Sequence, residues 1–121
     1  MTATYTIYHN PRCSKSRQTL ALLEEHNITP TVVEYLNDPP DLETLRSLLN
    51  LLGVEPRGMM RTKEEAYTSA GLKDVGKSEE ELLAAMIAHP ILIERPIVVK
   101  TDGDNVQAVI GRPPENVLEL V

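Results

Sequence analysis

The sequence is poor in large aromatic side chains: it has no phenylalanine, no tryptophan and four tyrosines among 121 residues. A hydrophobic core must therefore consist mainly of Leu, Ile, Val, Met and Ala, with the tyrosines at its margin. The chain is long enough to bury one such core and too short for two ordinary domains. We therefore expect a single domain over residues 1–121.

Cysteine is almost absent, since Cys13 is the only one in the chain. A single cysteine cannot close an internal disulfide, and without a pair of histidines at ligand spacing we expect no metal site. The sequence also lacks an apolar run long enough to span a bilayer or to form the core of a secretory signal. These absences favour the cytoplasm as the location.

Basic residues are outnumbered: Lys and Arg total 12, Asp and Glu total 18, and the formal net charge is -6. Nucleic acids and anionic membranes attract basic surfaces, so we expect neither as a partner. A site that binds an anion must instead rest on a local group of cations.

The first third of the chain predicts a β-α-β unit. Tyr5, Ile7 and Tyr8 lie in a run of strand-forming residues that ends at the turn sequence His-Asn-Pro. Helical spacing follows from Ser14 to about His26, and Thr31–Leu36 reads as a second strand. Two strands joined by one helix are expected to pair in parallel, with a right-handed crossover.

The middle of the chain, over about residues 38–90, carries only helix signals. Asp38 precedes two prolines and a leucine-rich helical repeat, which predicts a helix that starts with Asp38 as its cap and ends at Gly53. A less regular helical segment closes at Gly71, and Ser78 with Glu81 matches a capping box for a further helix. We expect an all-helical insertion here.

The last part of the chain predicts a β-hairpin followed by a short helix. Strand signals at Ile97–Lys100 and Val106–Ile110 flank a turn-rich segment, and prolines after Arg112 are typical of a helix start. A β-α-β unit and a β-β-α unit make an α/β, thioredoxin-like core, here interrupted by the helical insertion.

Cys13 has an electropositive sequence environment. It precedes a predicted helix, whose first N–H groups carry partial positive charge, and Arg12, Lys15 and Arg17 add full charges nearby. These charges favour the thiolate and therefore a reactive cysteine, and the same groups suit an incoming oxyanion. The alternative is a small buried hydrophobic residue.

Two common thiol chemistries do not fit the spacing. A C-x-x-C oxidoreductase needs a second cysteine where this chain has Ser16, and a cysteine phosphatase loop needs an arginine where it has Thr19. There remains a thiolate that attacks an electrophile and is regenerated by an external thiol, because the chain supplies no second sulfur.

Four motifs occur in order along nearly the whole chain: YHNPRCSKSRQTL, YLNDPP, HPILIERPIVV and GRPPE. Together they resemble the glutaredoxin-coupled arsenate reductases of the ArsC type. The resemblance implies a thioredoxin-like fold with a helical insertion, no tightly bound cofactor, and a reaction in which the cysteine attacks arsenate. Glutathione then displaces an arsenic-bound hydroxyl and glutaredoxin completes the release of arsenite.

The same resemblance assigns roles to individual residues. It implies that Cys13 is the nucleophile and that Arg61, Arg95 and Arg112 bind the oxyanion. His9 matches the histidine near the cysteine and, with Arg12, Lys15 and Arg17, is a candidate for tuning the thiol. It also implies a cis peptide bond between Arg95 and Pro96.

Three points stay open. Arg57 lies one helical turn before Arg61 and is an alternative to it. A regulatory module similar to the Spx proteins, which contact RNA polymerase, would share the fold, although Ser16 replaces the second cysteine of their C-x-x-C switch. A general monothiol thiol-transferase would use Cys13 on organic disulfides and would not need the arginines.

Overall fold

The computed structural model describes residues 3–94 and 96–121. The chain divides into two compact units. The first comprises the described residues up to Asp38 and from Pro96 onward, and the second comprises Pro39–Glu94. That the chain folds cooperatively as a single domain stays a prediction.

The first unit contains a four-stranded sheet with the order β2-β1-β3-β4. The central strand β1 pairs in parallel with β2 and antiparallel with β3, and β3 pairs antiparallel with β4. The strands are β1 (Thr4–His9), β2 (Thr31–Glu34), β3 (Ile97–Asp102) and β4 (Asn105–Ile110). The predicted β-α-β unit and hairpin are confirmed, and the fold is thioredoxin-like.

One predicted end in this unit is wrong. The second strand stops at Glu34 and not at Leu36, because the chain turns there and the Glu34 carbonyl accepts the N–H groups of Asn37 and Asp38, each at 3.0 Å. The predicted short terminal helix is confirmed as a 3₁₀ helix, Pro114–Glu119. Its residue Val117 and its C-cap residue Leu120 lie in the core.

Helix α1 (Ser14–Glu25) connects β1 to β2 and ends close to the predicted His26. Its buried face consists of Ser16, Thr19 and Leu23. Leu23 packs in the core of this unit, which also contains Ile7 and Val98 from the sheet. Two strands, α1 and the 3₁₀ helix thus share one core, and the start of α1 is fixed beside the end of β1.

The second unit is helical, as predicted. It contains α2 (Leu42–Leu52), α3 (Glu65–Ser69) and α4 (Glu79–Ala88), together with 3₁₀ helices at Pro56–Met59 and Pro90–Leu92. Among the helices in the described ranges, none combines the length and apolarity required to cross a bilayer.

The predicted cap of α2 is wrong. Asp41, not Asp38, caps the helix, and its Oδ1 accepts the Thr44 N–H at 2.8 Å. A proline disfavours helical backbone at the residue before it. Asp38 and Pro39 each precede a proline and therefore lie outside the helix.

Other helix ends in this unit follow the predicted signals. Gly53 ends α2 in left-handed backbone with φ 68°, and Gly71 adopts the same φ after α3. Ser78 and Glu81 form the predicted capping box, with Glu81 N–H donating to Ser78 Oγ at 3.2 Å and Ser78 N–H to Glu81 Oε1 at 3.1 Å. These stops and starts are set by local backbone chemistry.

Candidate functional site

Cys13 is the N-cap residue of α1, with extended backbone at φ -94° and ψ 122°. Its N–H donates to the Asn10 carbonyl at 3.0 Å, and its carbonyl accepts the Arg17 N–H at 3.0 Å. The thiol makes no capping bond to the helix and is partly exposed. Cys13 therefore lies at the N-terminal end of α1. The first N–H groups of a helix have no partner within it, and this end carries a partial positive charge.

The loop before Cys13 is held by short hydrogen bonds. Asn10 Oδ1 accepts the Arg12 N–H at 3.0 Å, and Arg17 Nη1 donates to the Pro11 carbonyl at 2.8 Å. The side chains of Arg12, Lys15 and Arg17 are exposed. All three predicted tuning cations thus lie in the loop or first turn that carries Cys13, and Arg17 also fixes the loop.

His9 ends β1 and is buried, with 6% of its surface exposed. Its Nδ1 lies 2.6 Å from Ser16 Oγ, which also accepts the Asn10 N–H at 3.0 Å. Burial lowers the pKa of His9 below its ordinary value of 6.5; the Glu34 carboxylate opposes this effect and Arg17 adds to it. The lowered pKa favours the neutral ring, and the tautomer of that ring decides whether Nδ1 or the Ser16 hydroxyl is the donor in this hydrogen bond.

Ser16 is a functional residue that the sequence did not predict. In the sequence it stands out only as the residue in place of the second cysteine of a C-x-x-C motif. The side chain is fully buried and joins β1 to α1 through His9 and Asn10. The available signal was a hydroxyl three residues after Cys13 on the inward face of a helix. Its contacts indicate a structural role under the cysteine loop.

A cleft of about 340 Å³ lies beside the cysteine loop. His9 and the segment Asn10–Arg12 line one side, and Glu34 at the end of β2 lines the other together with Leu36 and Asn37. The cleft borders the loop that leads to Cys13, and Cys13 is not among its lining residues.

Arg112 follows a tightly packed glycine at the end of β4. Gly111 N–H donates to the Pro96 carbonyl at 2.8 Å, and a Cβ at Gly111 would lie 2.7 Å from Thr19 Oγ1 and 2.8 Å from Pro96 Cγ. Asn116 Nδ2 donates to the Arg112 carbonyl at 3.2 Å. The lack of a side chain at Gly111 thus lets the β4 end approach α1, and Arg112, the next residue, is exposed.

Arg95 lies outside the described residues, so its predicted oxyanion role and the predicted cis bond to Pro96 remain predictions. The cis peptide bond within the described residues joins Arg112 to Pro113.

In the second unit, Arg57 and Arg61 have different surroundings. Arg57 donates from Nε to Tyr67 Oη at 3.1 Å and from Nη2 to the carbonyls of Leu72 and Asp74 at 2.9 and 2.8 Å. These bonds tie the turn after α3 to the 3₁₀ helix that carries Arg57, so this guanidinium is committed to the unit's own structure.

Arg61 is bound by acidic side chains. Its Nε lies 3.2 Å from Glu64 Oε1 and its Nη1 lies 3.5 Å from Glu94 Oε1, while 24% of its side chain stays exposed. Arg61 is therefore the better candidate of the two for an external ligand. That it joins Cys13 and Arg112 in one site stays a prediction.

Comparison with known proteins gives a consistent result. The model of the ArsC family matches residues 8–120. The uncharacterized protein YfgD of Escherichia coli K12 is 54% identical over 100% of this chain and 99% of its own. An arsenate reductase of Neisseria meningitidis serogroup A is 49% identical over 92% of each chain.

Solved structures agree with these relatives. The arsenate reductase of Vibrio cholerae superposes with a TM-score of 0.92 at 52% identity and covers 100% of both chains. Since a family model spans nearly the whole length and relatives share about half of the residues, the chain belongs to the ArsC family.

Proposed function

We propose that this protein is an arsenate reductase that acts through Cys13 and takes its electrons from glutathione and glutaredoxin. The observation that carries the proposal is the position of the only cysteine as the partly exposed N-cap of α1, in a loop with three basic side chains. Membership of the ArsC family and relatives named arsenate reductase support the choice of substrate.

The proposed reaction uses three thiols, those of Cys13, glutathione and glutaredoxin. The Cys13 thiolate attacks arsenic and a protonated hydroxyl leaves as water, after which glutathione displaces a second hydroxyl. The glutaredoxin thiolate then attacks the glutathione sulfur. The bond between arsenic and that sulfur breaks, and its electron pair passes to arsenic. As(V) becomes As(III), the two donor thiols leave as a mixed disulfide, and hydrolysis releases arsenite from Cys13.

The first step joins two anions, so fixed cations must offset their repulsion. We assign Arg61, Arg95 and Arg112 to the oxyanion, and Arg12, Lys15 and Arg17 with the α1 N-terminus to the thiolate. His9, whose pKa is lowered by burial, is assigned to positioning of the cysteine loop through Ser16. The need for reduced glutathione makes the cytoplasm the proposed location.

The test is arsenate-dependent oxidation of NADPH in the presence of glutathione, glutaredoxin and glutathione reductase. We expect turnover by the wild type and none above background by Cys13→Ser, with both proteins equally folded by circular dichroism. Ser14→Ala, a change at the next, exposed residue, is the control and should retain activity. Absence of arsenate turnover, together with rapid alkylation of Cys13, would contradict the proposal and favour a thiol-transferase or a regulatory module.

A further inference from the structure

The end of β4 packs against α1 more closely than a side chain at position 111 would allow. A Cβ at Gly111 would lie 2.7 Å from Thr19 Oγ1, 3.1 Å from Thr19 Cγ2 and 2.8 Å from Pro96 Cγ. Threonine is branched at Cβ and proline is cyclic, so neither neighbour can move aside as the end of a long side chain could. The absence of a side chain at Gly111 therefore sets how near the β4 end comes to the helix.

The same contact is tied to the first turn of α1. Thr19 is fully buried, and its Oγ1 donates to the Lys15 carbonyl at 2.8 Å and lies 3.4 Å from the Gly111 carbonyl oxygen. The helical rise places Thr19 about 9 Å from Cys13 along the axis. Arg112 directly follows Gly111, and all of these residues belong to the first compact unit. The contact thus fixes the backbone next to Arg112 against the helix that begins at Cys13.

We propose that Gly111 and Thr19 are positioning residues whose contact holds Arg112 beside the Cys13 thiolate. The inference rests on the oxyanion role of Arg112 given under Proposed function. A cysteine phosphatase loop needs an arginine at the position of Thr19. Here that position receives the end of β4, and the residue that follows the contact supplies the cation. Gly111 and Thr19 act through Arg112 and not on the substrate.

The test compares alkylation of Cys13 by iodoacetate, an anion, with alkylation by iodoacetamide, which is neutral. A change in the thiolate fraction of Cys13 alters both rates by the same factor, so the ratio of the two rate constants reports the cations that face the thiolate. Arg112→Ala should lower the iodoacetate-to-iodoacetamide ratio by about threefold, the effect of one unit charge at about 6 Å in water. Gly111→Ala should lower it by a similar factor, because the added methyl group pushes the β4 end away from Thr19.

A double-mutant cycle shows whether Gly111 acts through Arg112. Gly111→Ala combined with Arg112→Ala should give the ratio of Arg112→Ala alone, because the cation is already absent. Gly111→Ala combined with Thr19→Ala removes two of the three close contacts and should restore most of the wild-type ratio, and this pair carries the test if Gly111→Ala alone does not fold. Gly76→Ala, at an exposed glycine of the second unit, is the matched control and should keep the wild-type ratio.

Four results would overturn the proposal, each in variants that circular dichroism shows to be folded. A wild-type ratio in Gly111→Ala would show that the contact does not place Arg112. A further fall when Arg112→Ala is added to Gly111→Ala would mean that Gly111 acts by another route. A ratio that stays low when Thr19→Ala is added would remove Thr19 from the contact.

The fourth result is a wild-type ratio in Arg112→Ala, which would also contradict the oxyanion role given to Arg112 under Proposed function. The other three leave that role intact, so failure of the inference and failure of the proposed role are distinguishable. The assay uses neither arsenate nor glutathione. The expected pattern of ratios would therefore support the positioning of Arg112 even if arsenate reduction itself fails.

Discussion

At the residue scale, the position three after Cys13 defines what this thiol can do. A second cysteine there would give a dithiol, whereas Ser16 is fully buried and joins the Asn10 N–H to the His9 ring. The oxidisable group of a C-x-x-C pair is thus replaced by a hydroxyl that holds the cysteine loop against α1. The proposed reaction therefore requires a thiol from outside this loop to regenerate Cys13.

Ser16→Ala should destabilise the protein, because it leaves the buried Asn10 N–H and His9 Nδ1 without their shared partner. We expect the free energy of unfolding to fall by about 1–3 kcal/mol, as for other buried polar groups that lose a partner. Urea unfolding followed by circular dichroism measures this loss. Ser14→Ala, at an exposed position of the same helix, is the matched control, and equal stability of the two variants would contradict the role given to Ser16.

His9 should make stability depend on pH. Burial lowers its pKa in the folded chain relative to 6.5, so the unfolded chain binds a proton at pH values where the folded chain does not. The free energy of unfolding should then decrease as the pH falls through 6.5 and level off below the folded pKa. We expect a weaker decrease in His9→Asn, which does not titrate there.

Urea midpoints measured between about pH 7 and pH 5 would follow this effect. His26→Asn, at an exposed position, is the control and should keep the wild-type decrease. A His9→Asn variant with the same decrease as the wild type would show that other groups cause it.

At the element scale, predictions held where the signal was local and failed where two signals competed. Gly53 and the Ser78–Glu81 box mark ends of helices because one glycine or one pair of side chains decides the backbone there. Asp38 and Asp41 are both residues that can cap a helix. The prolines between them disfavour helical backbone at the residues they follow, so the helix starts after Asp41. The end of β2 at Glu34 depends on a turn that strand propensity does not reveal.

The two aspartates give a direct test at this scale. Asp41→Ala should lower the free energy of unfolding at neutral pH, since the Thr44 N–H loses its acceptor, whereas Asp38→Ala should have little effect. The hydrogen bonds from Thr44 lower the pKa of Asp41 below 3.8, so its contribution is present above that value and is lost as pH falls through the folded pKa. Urea unfolding at neutral and acid pH measures both effects, and equal losses in the two variants would contradict the assignment of the cap.

At the scale of the whole molecule, the sequence predicts the β-α-β unit and the hairpin better than the site. Two β units with their intervening helix constrain the topology, and Cys13 is placed by its own neighbours. The contact between Thr19 and Gly111 joins positions 92 residues apart, which no local pattern reveals. The same holds for the acidic partners of Arg61, because Glu94 lies 33 residues from it in sequence.

Variants of the arginines that we assign to the oxyanion would distinguish arsenate reduction from general thiol transfer. Arg112→Ala and Arg95→Ala should each lower kcat/KM for arsenate by about 10²–10³, the usual loss when a donor to a developing oxyanion is removed. Neither change should alter the reduction of a neutral organic disulfide, because that substrate carries no oxyanion for the guanidinium to bind. Both activities are measured with the same glutathione and glutaredoxin supply.

Arg46→Ala is the matched control for these variants, since Arg46 is an exposed arginine that pairs with Glu79 within the helical unit. It should leave both activities unchanged. Parallel loss of the two activities in Arg112→Ala and Arg95→Ala would mean that these arginines support the Cys13 thiolate and not the arsenate. Full retention of both activities would show that arsenate reduction does not depend on Arg95 or Arg112 and would contradict their assignment to the oxyanion.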